Sequence, residues 1–275
     1  MNMGKPFELT IGTFEDNATL AYLDLCGIRS FYKKSVSTKA QARIIYTALL
    51  EIFSEKYFDV FKDGDKDLFN INIYADSIMI CQRLKAERSV ERLIEFLLSY
   101  QLALIQKNLP TPENNRILSR ALVVRDSFFY LNVKSATSNS ILNSEHTHIS
   151  LCGGRGLVSV DEMLKGLPAG VYVSKNLVGE LSNEQQRRRL KVKDDKYFFI
   201  KQDEQITIDL LFSILNDKTI NELILEEITN LTEGYIERIL KKSGYENEAV
   251  KKLVPWFSAN LGKRAIIERE TACKK

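Results

Sequence analysis

Thr19-Leu20-Ala21-Tyr22-Leu23-Asp24-Leu25-Cys26-Gly27-Ile28 and Asn70-Ile71-Asn72-Ile73-Tyr74-Ala75-Asp76-Ser77-Ile78-Met79-Ile80 are the stretches that decide the fold of this chain. Each is a short apolar run with the composition of a buried strand, and each carries one carboxylate inside it. A charge within a hydrophobic strand is costly to bury unless a partner compensates it. Two such charges, both at strand ends or bends, point to a shared metal ion and to two-metal nucleotide chemistry.

Outward from these runs, strands and helices alternate. Ser37 is a candidate N-cap for a helix whose apolar stripe is Ile45, Ala48, Leu49, Ile52 and Phe53. Leu68–Asp76 and Ile78–Gln82 read as two strands joined tightly around Asp76-Ser77. A second helix presents Val90, Leu93, Ile94, Leu97 and Leu98 on one face, and Pro110 and Pro112 stop the chain after it. Arg120–Val124 opens another strand, extending to about Tyr130. The Ser/Asn/Thr-rich stretch Asn132–Thr147 predicts a loop, Leu157–Lys165 a short helix and Ala169–Val173 a strand. The order β-α-β-β-α-β, followed by α-β, predicts a ferredoxin-like α+β sandwich. The first and third strands would be adjacent at the centre of an antiparallel sheet. From about Gln202 the pattern turns helical, with a stripe of Ile220, Leu223, Ile224, Ile228 and Leu231 and then a segment holding Trp256.

Composition bounds the rest. The 275 residues, 44% hydrophobic and 27% charged, are those of a soluble globular protein with length enough for a sizeable core. We expect one domain over residues 1–200 and a helical extension over 201–275. A formal charge of +3 is too small to imply a nucleic-acid partner. No run is long enough for a membrane-spanning helix, and no secretory leader or myristoylation signal is read. Four cysteines without C-x-x-C spacing predict a reduced, cytoplasmic protein in which they serve as packing residues. Gly153-Gly154-Arg155-Gly156 lacks the lysine of a P-loop and reads as a flexible turn. His146 and His148 read as solvated, and Arg187-Arg188-Arg189 with Lys191 and Lys193 as a solvated face.

With these elements in place, the chain resembles the class III nucleotidyl cyclase family. The segments that carry the likeness are Tyr22-Leu23-Asp24-Leu25-Cys26-Gly27-Ile28, Tyr74-Ala75-Asp76-Ser77-Ile78, Arg120-Ala121-Leu122 and Gly154-Arg155-Gly156-Leu157-Val158, within residues 15–180. In their ordered set they are most similar to the pyrimidine cyclases of bacterial anti-phage signalling. The resemblance implies a homodimeric lyase with shared sites. It would cyclise UTP or CTP with release of pyrophosphate, using two Mg²⁺ or Mn²⁺ ions, to make a messenger read by a separate effector. Asp24, Asp76 and the backbone carbonyl of Leu25 would be the metal ligands, hard oxygen donors for hard cations. Gly27, Ile28 and Arg29 lie where backbone N–H groups meet the β- and γ-phosphates, with Lys33 and Lys34 adding charge. Arg120 matches the family's basic residue opening the fourth strand and is a catalytic candidate.

The departures matter as much. Positions that read adenine in adenylyl cyclases of this class hold Asn72 and Leu151, which disfavours ATP; the Asn72 amide suits a pyrimidine edge. Positions that carry a transition-state Asn and Arg hold Val158 and Glu162, with Arg125 or Arg155 as substitutes and Arg155 as a nucleotide-binding candidate. A catalytically degenerate, cyclase-like nucleotide sensor or scaffold is the alternative.

Overall fold

The computed structural model describes residues 7–26, 28, 37–62, 68–74, 76–82, 88–107, 117–135, 149–164, 167–193, 196–214, 233–245 and 247–261. The leading run forms β1 (Phe7–Cys26), longer than the expected strand. After it come α1 (Thr38–Tyr46), a π-helical stretch (Thr47–Ile52) and α2 (Phe53–Val60). The Ser37 side chain accepts a hydrogen bond from the Ala40 N–H at 3.3 Å, the cap its position predicted. Next are β2 (Phe69–Tyr74), β3 (Ser77–Gln82) and α3 (Ser89–Gln106). They lead to β4 (Leu118–Ser135), β5 (Ile149–Gly153), α4 (Arg155–Leu164) and β6 (Gly170–Ser174). Short elements α5 (Lys175–Val178), α6 (Glu184–Arg188), β7 (Leu190–Val192) and β8 (Tyr197–Ile200) extend the sheet. Helices α7 (Glu204–Ile214), α8 (Glu233–Lys242) and α9 (Asn247–Asn260) complete the described chain.

The sheet has eight strands in the order β2-β3-β1-β4-β6-β8-β7, with β5 paired to β4. β1 lies between β3 and β4 and is antiparallel to both, so the first and third strands are adjacent as the ferredoxin-like order requires. The alternation of β1 divides the core. Leu23 and Leu25 point to the helical face, where Leu49, Ile52, Phe53, Leu93, Ile94 and Leu97 pack on them. Leu20 points to the other face, with Met79, Leu122, Val124 and, from α4, Val160 and Leu164. Asp24 shares the parity of Leu20 and lies on this second face.

Several expectations are corrected. Residues 132–135 continue β4, and Ile149–Gly153 is a strand paired with Phe129–Val133. The turn before α4 is packed, not loose. Gly154 has φ +125°, and a Cβ there would approach the Ser127 carbonyl oxygen to 2.5 Å, so the glycine lets the turn lie against β4. Arg189 is not on a solvated face: its Nε donates to the Lys201 carbonyl at 2.6 Å and its Nη2 to Gln202 Oε1 at 3.0 Å. Cys81 is buried and Cys26 partly so. The 220–231 stripe, both histidines, Lys33 and Lys34 lie outside the described residues. No helix among the described residues is long and apolar enough to cross a membrane.

The C-terminal helices pack on the core. Leu210, Ile236, Leu240, Leu253, Trp256 and Phe257 form one buried cluster with Ile105 of α3 and Leu118 of β4. The Trp256 indole N–H donates to Gln101 Oε1 at 2.9 Å, and Gln101 Nε2 donates to the Ser119 carbonyl at 2.7 Å.

Candidate active site

Asp24 stands opposite Ser77 on β3 and opposite Arg120 on β4. Directly opposed residues of an antiparallel pair project to the same face within side-chain reach, and all three side chains meet. Arg120 donates from Nε to Asp24 Oδ2 at 2.9 Å and from Nη2 to the same oxygen at 2.7 Å. The Ser77 hydroxyl donates to Asp24 Oδ1 at 3.1 Å. Both carboxylate oxygens are therefore engaged. Arg120 Nη1 lies 3.4 Å from the Leu167 carbonyl, a second acceptor at the edge of the site.

Asp76 occupies the β2–β3 turn beside this group. The Leu25 N–H donates to the Asp76 carbonyl at 3.1 Å, which ties the end of β1 to the turn. Because N–H and C=O of one strand residue face the same neighbour, the Leu25 carbonyl is directed to the turn as well. Burial, and next the charge of Asp24, push the Asp76 carboxyl above its ordinary pKa; its own backbone N–H and Arg120 oppose this only partly. Two neighbouring carboxylates, with a carbonyl and a hydroxyl beside them, are an all-oxygen donor set. Such a set fits Mg²⁺ or Mn²⁺, which take one or two carboxylates and leave other positions to water and phosphate. Among the described residues no group of three His, Cys, Asp or Glu forms a closed metal site.

Asn72 lies on the same face as Asp24, on edge strand β2. Its row crosses Met79 of β3 and Tyr22 of β1, one same-face step from Asp24. Its Nδ2 is buried and has no hydrogen-bond partner. Ile28 puts its side chain into the helical-face core, at 1% exposure, so only its backbone is left for a ligand. Gly27 and Arg29 lie outside the described residues.

The other candidates are not brought to this end. Arg155 is 77% exposed and bonds to Asp126 at 2.8 Å. Asp126 is six residues along β4 from Arg120, about 20 Å at strand rise. Arg125 has the opposite parity to Arg120; it binds Glu180 and Thr19 and cannot replace a missing group on the Asp24 face. Val158 and Glu162 are solvent-exposed on α4. Leu151 pairs with Leu131, far along β4 from Leu122, whose register row passes through Tyr22. Ser77 escaped the sequence reading as a site residue. Its signal was available: it follows Asp76 in a turn that returns it opposite Asp24.

No family model matches the chain, and no curated protein matches it. Among solved structures it is similar to the guanylyl cyclase Cya2, at TM-score 0.49 and 14% identity over 69% of this chain and 92% of that one. It is also similar to a monomeric crystal structure of a double mutant of the guanylyl cyclase domain of the RhoGC fusion protein from the aquatic fungus Blastocladiella emersonii. There the TM-score is 0.46 at 12% identity, covering 70% and 97% of the two chains. A class III adenylyl cyclase-like ATP-binding protein from Pseudomonas aeruginosa is similar at TM-score 0.44 and 10% identity, over 65% and 37%. The functional reading therefore rests on the geometry of the site.

Proposed function

We propose that this protein is a nucleotidyl cyclase that converts UTP or CTP to the 3′,5′-cyclic monophosphate and pyrophosphate in a two-fold homodimer. The supporting observation is the convergence of Asp24 and Asp76 at one strand end, with Arg120 and Ser77 on the Asp24 carboxylate. Bound divalent cations would lower the pKa of the ribose 3′-hydroxyl and neutralise charge on the phosphates. Asp24, Asp76 and the Leu25 carbonyl would hold them. Arg120, a planar fork suited to phosphate oxygens, stabilises the leaving pyrophosphate. Asn72 carries a buried amide donor without a partner, and a pyrimidine carbonyl or ring-nitrogen acceptor would satisfy it. The messenger would serve antiviral signalling through a separate effector.

Incubation with each of the four nucleoside triphosphates and Mn²⁺, followed by chromatography, tests the reading. Cyclic UMP or CMP should form, ten- to a hundredfold faster than cyclic AMP or GMP, from about 1–3 kcal/mol for one amide contact. Asp24→Asn and Asp76→Asn should each abolish turnover. Faster turnover of ATP would refute the base assignment, and full activity in either variant the metal assignment.

One observation favours a second reading. Val158 and Glu162, where the resemblance expects an amide and a guanidinium for the transition state, are exposed and unsuited to that work. A nucleotide-binding sensor of the same fold would bind pyrimidine nucleotides with Mn²⁺ and yield no product in that assay.

A further inference from the structure

We infer that Arg120 is an exchangeable counter-ion of the metal site, holding Asp24 until a divalent cation arrives and then turning to the phosphates of the nucleotide. This rests on the reading of Asp24 and Asp76 as cation ligands. The geometry carries it in three parts. First, two N–H groups of one guanidinium converge on a single oxygen, Asp24 Oδ2, at 2.9 Å and 2.7 Å, while Ser77 holds the other oxygen. A cation that binds Asp24 must compete for lone pairs already in use, against a positive charge beside them.

Second, Arg120 has somewhere to go. Its side chain is 25% exposed, and Nη1 already reaches toward the Leu167 carbonyl at 3.4 Å. The head group can swing without crossing packed core. Third, the Leu25 N–H ties the Asp76 turn to the end of β1 beside Asp24 at 3.1 Å, and among the described residues no cation pairs with Asp76. The described part of the site thus holds two carboxylates and one guanidinium. That balance suits neither a permanent salt bridge nor a permanently loaded metal site. A triphosphate, by offering Arg120 a bidentate partner, frees Asp24 for the cation. Cation and nucleotide therefore assist each other's binding reciprocally.

Mn²⁺ alone is the probe, titrated into wild type, Arg120→Gln and Asp24→Asn without nucleotide and followed by the electron paramagnetic resonance of free Mn²⁺. Arg120→Gln should bind Mn²⁺ at least fivefold more tightly than wild type, and Asp24→Asn should lose the site. Equal or weaker binding by Arg120→Gln, with wild type binding normally, overturns the counter-ion role and leaves the metal reading intact. If no form binds Mn²⁺, the metal reading itself falls and the counter-ion role falls with it. Should Arg120→Gln fail to fold, the Arg120 Nε–H resonance of wild type answers the same question. It should shift on saturation with diamagnetic Mg²⁺, and a resonance that stays in place refutes the exchange.

Discussion

Asp24 and Asp76 share one strand end yet stand in opposite electrostatic positions. Asp24 has a guanidinium and a hydroxyl on its oxygens, whereas Asp76 is held above the ordinary 3.8 by burial and by Asp24's charge. For Asp76, folding disfavours the charged form relative to the unfolded chain. Its contribution to stability is most favourable below the unfolded value, near pH 4, and is lost as pH rises through the raised folded value. Asp76→Asn is therefore expected to raise the thermal midpoint at pH 7, by less than about 1 kcal/mol because the group is partly solvated. The gain should fade as melts are repeated toward pH 3. Asp24→Asn should lower the midpoint at pH 7, by about 1–3 kcal/mol, by leaving Arg120 without its carboxylate. Thermal melts of both variants over that pH range check the two signs together; a destabilised Asp76→Asn at pH 7 would show that its carboxylate has a compensating partner after all.

At the scale of elements, the end of the sheet that carries the site is fixed from outside by the C-terminal helices. β6 enters register with β4 at Arg120, opposite Gly170. One residue earlier the Ser119 carbonyl accepts from Gln101 of α3, and Trp256 of α9 holds Gln101 in turn. Trp256→Phe keeps most of the packing and removes the donor. It is expected to cost about 1–3 kcal/mol in urea unfolding, the penalty of one buried unsatisfied acceptor, and an unchanged midpoint would show that water replaces the indole. No local pattern reveals this chain of contacts, because its members lie on α3, β4 and α9. The sequence did show Trp256 to be apolar enough to pack, and it does. What it showed best was local: the carboxylate within each strand, the Ser37 cap and the tight turn at Asp76-Ser77. Parity is legible too: residues 120 and 125 must face opposite sides of β4, which rules out Arg125 as a substitute guanidinium on the Arg120 face. β5 escaped because Ser, Asn and Thr precede it and glycines end it, which is turn composition. Arg189 escaped because a run of three arginines looks solvated until the pairing of β7 with β8 brings its last member beside Lys201 and Gln202.

For the whole molecule, the proposed homodimer must bring together groups that lie at two ends of one face. Asp24, Asp76, Arg120 and Asn72 cluster at one end. Arg155, with the exposed Val158 and Glu162 of α4, lies about 20 Å along β4 at the other. A two-fold axis lying parallel to that face and across β4 sets the two faces against each other and carries each end of one chain to the opposite end of its partner, pairing unlike halves twice. Apolar exposure also fits an oligomer: Ile71, Ile73 and Tyr74 stand on edge strand β2, where an open strand invites pairing. Sedimentation at micromolar concentration should give a dimer mass. Complementation gives the sharper result. Asp24→Asn and Arg155→Ala homodimers should each be impaired, since every site in them lacks one group. In a mixed dimer one site carries both defects and the other none. Random exchange makes half of the dimers mixed, so equal mixtures should recover about one quarter of the wild-type activity. Recovery absent under conditions where subunits exchange, or a monomer that cyclises nucleotides at full rate, would place the whole catalytic apparatus in one chain and remove Arg155 from it.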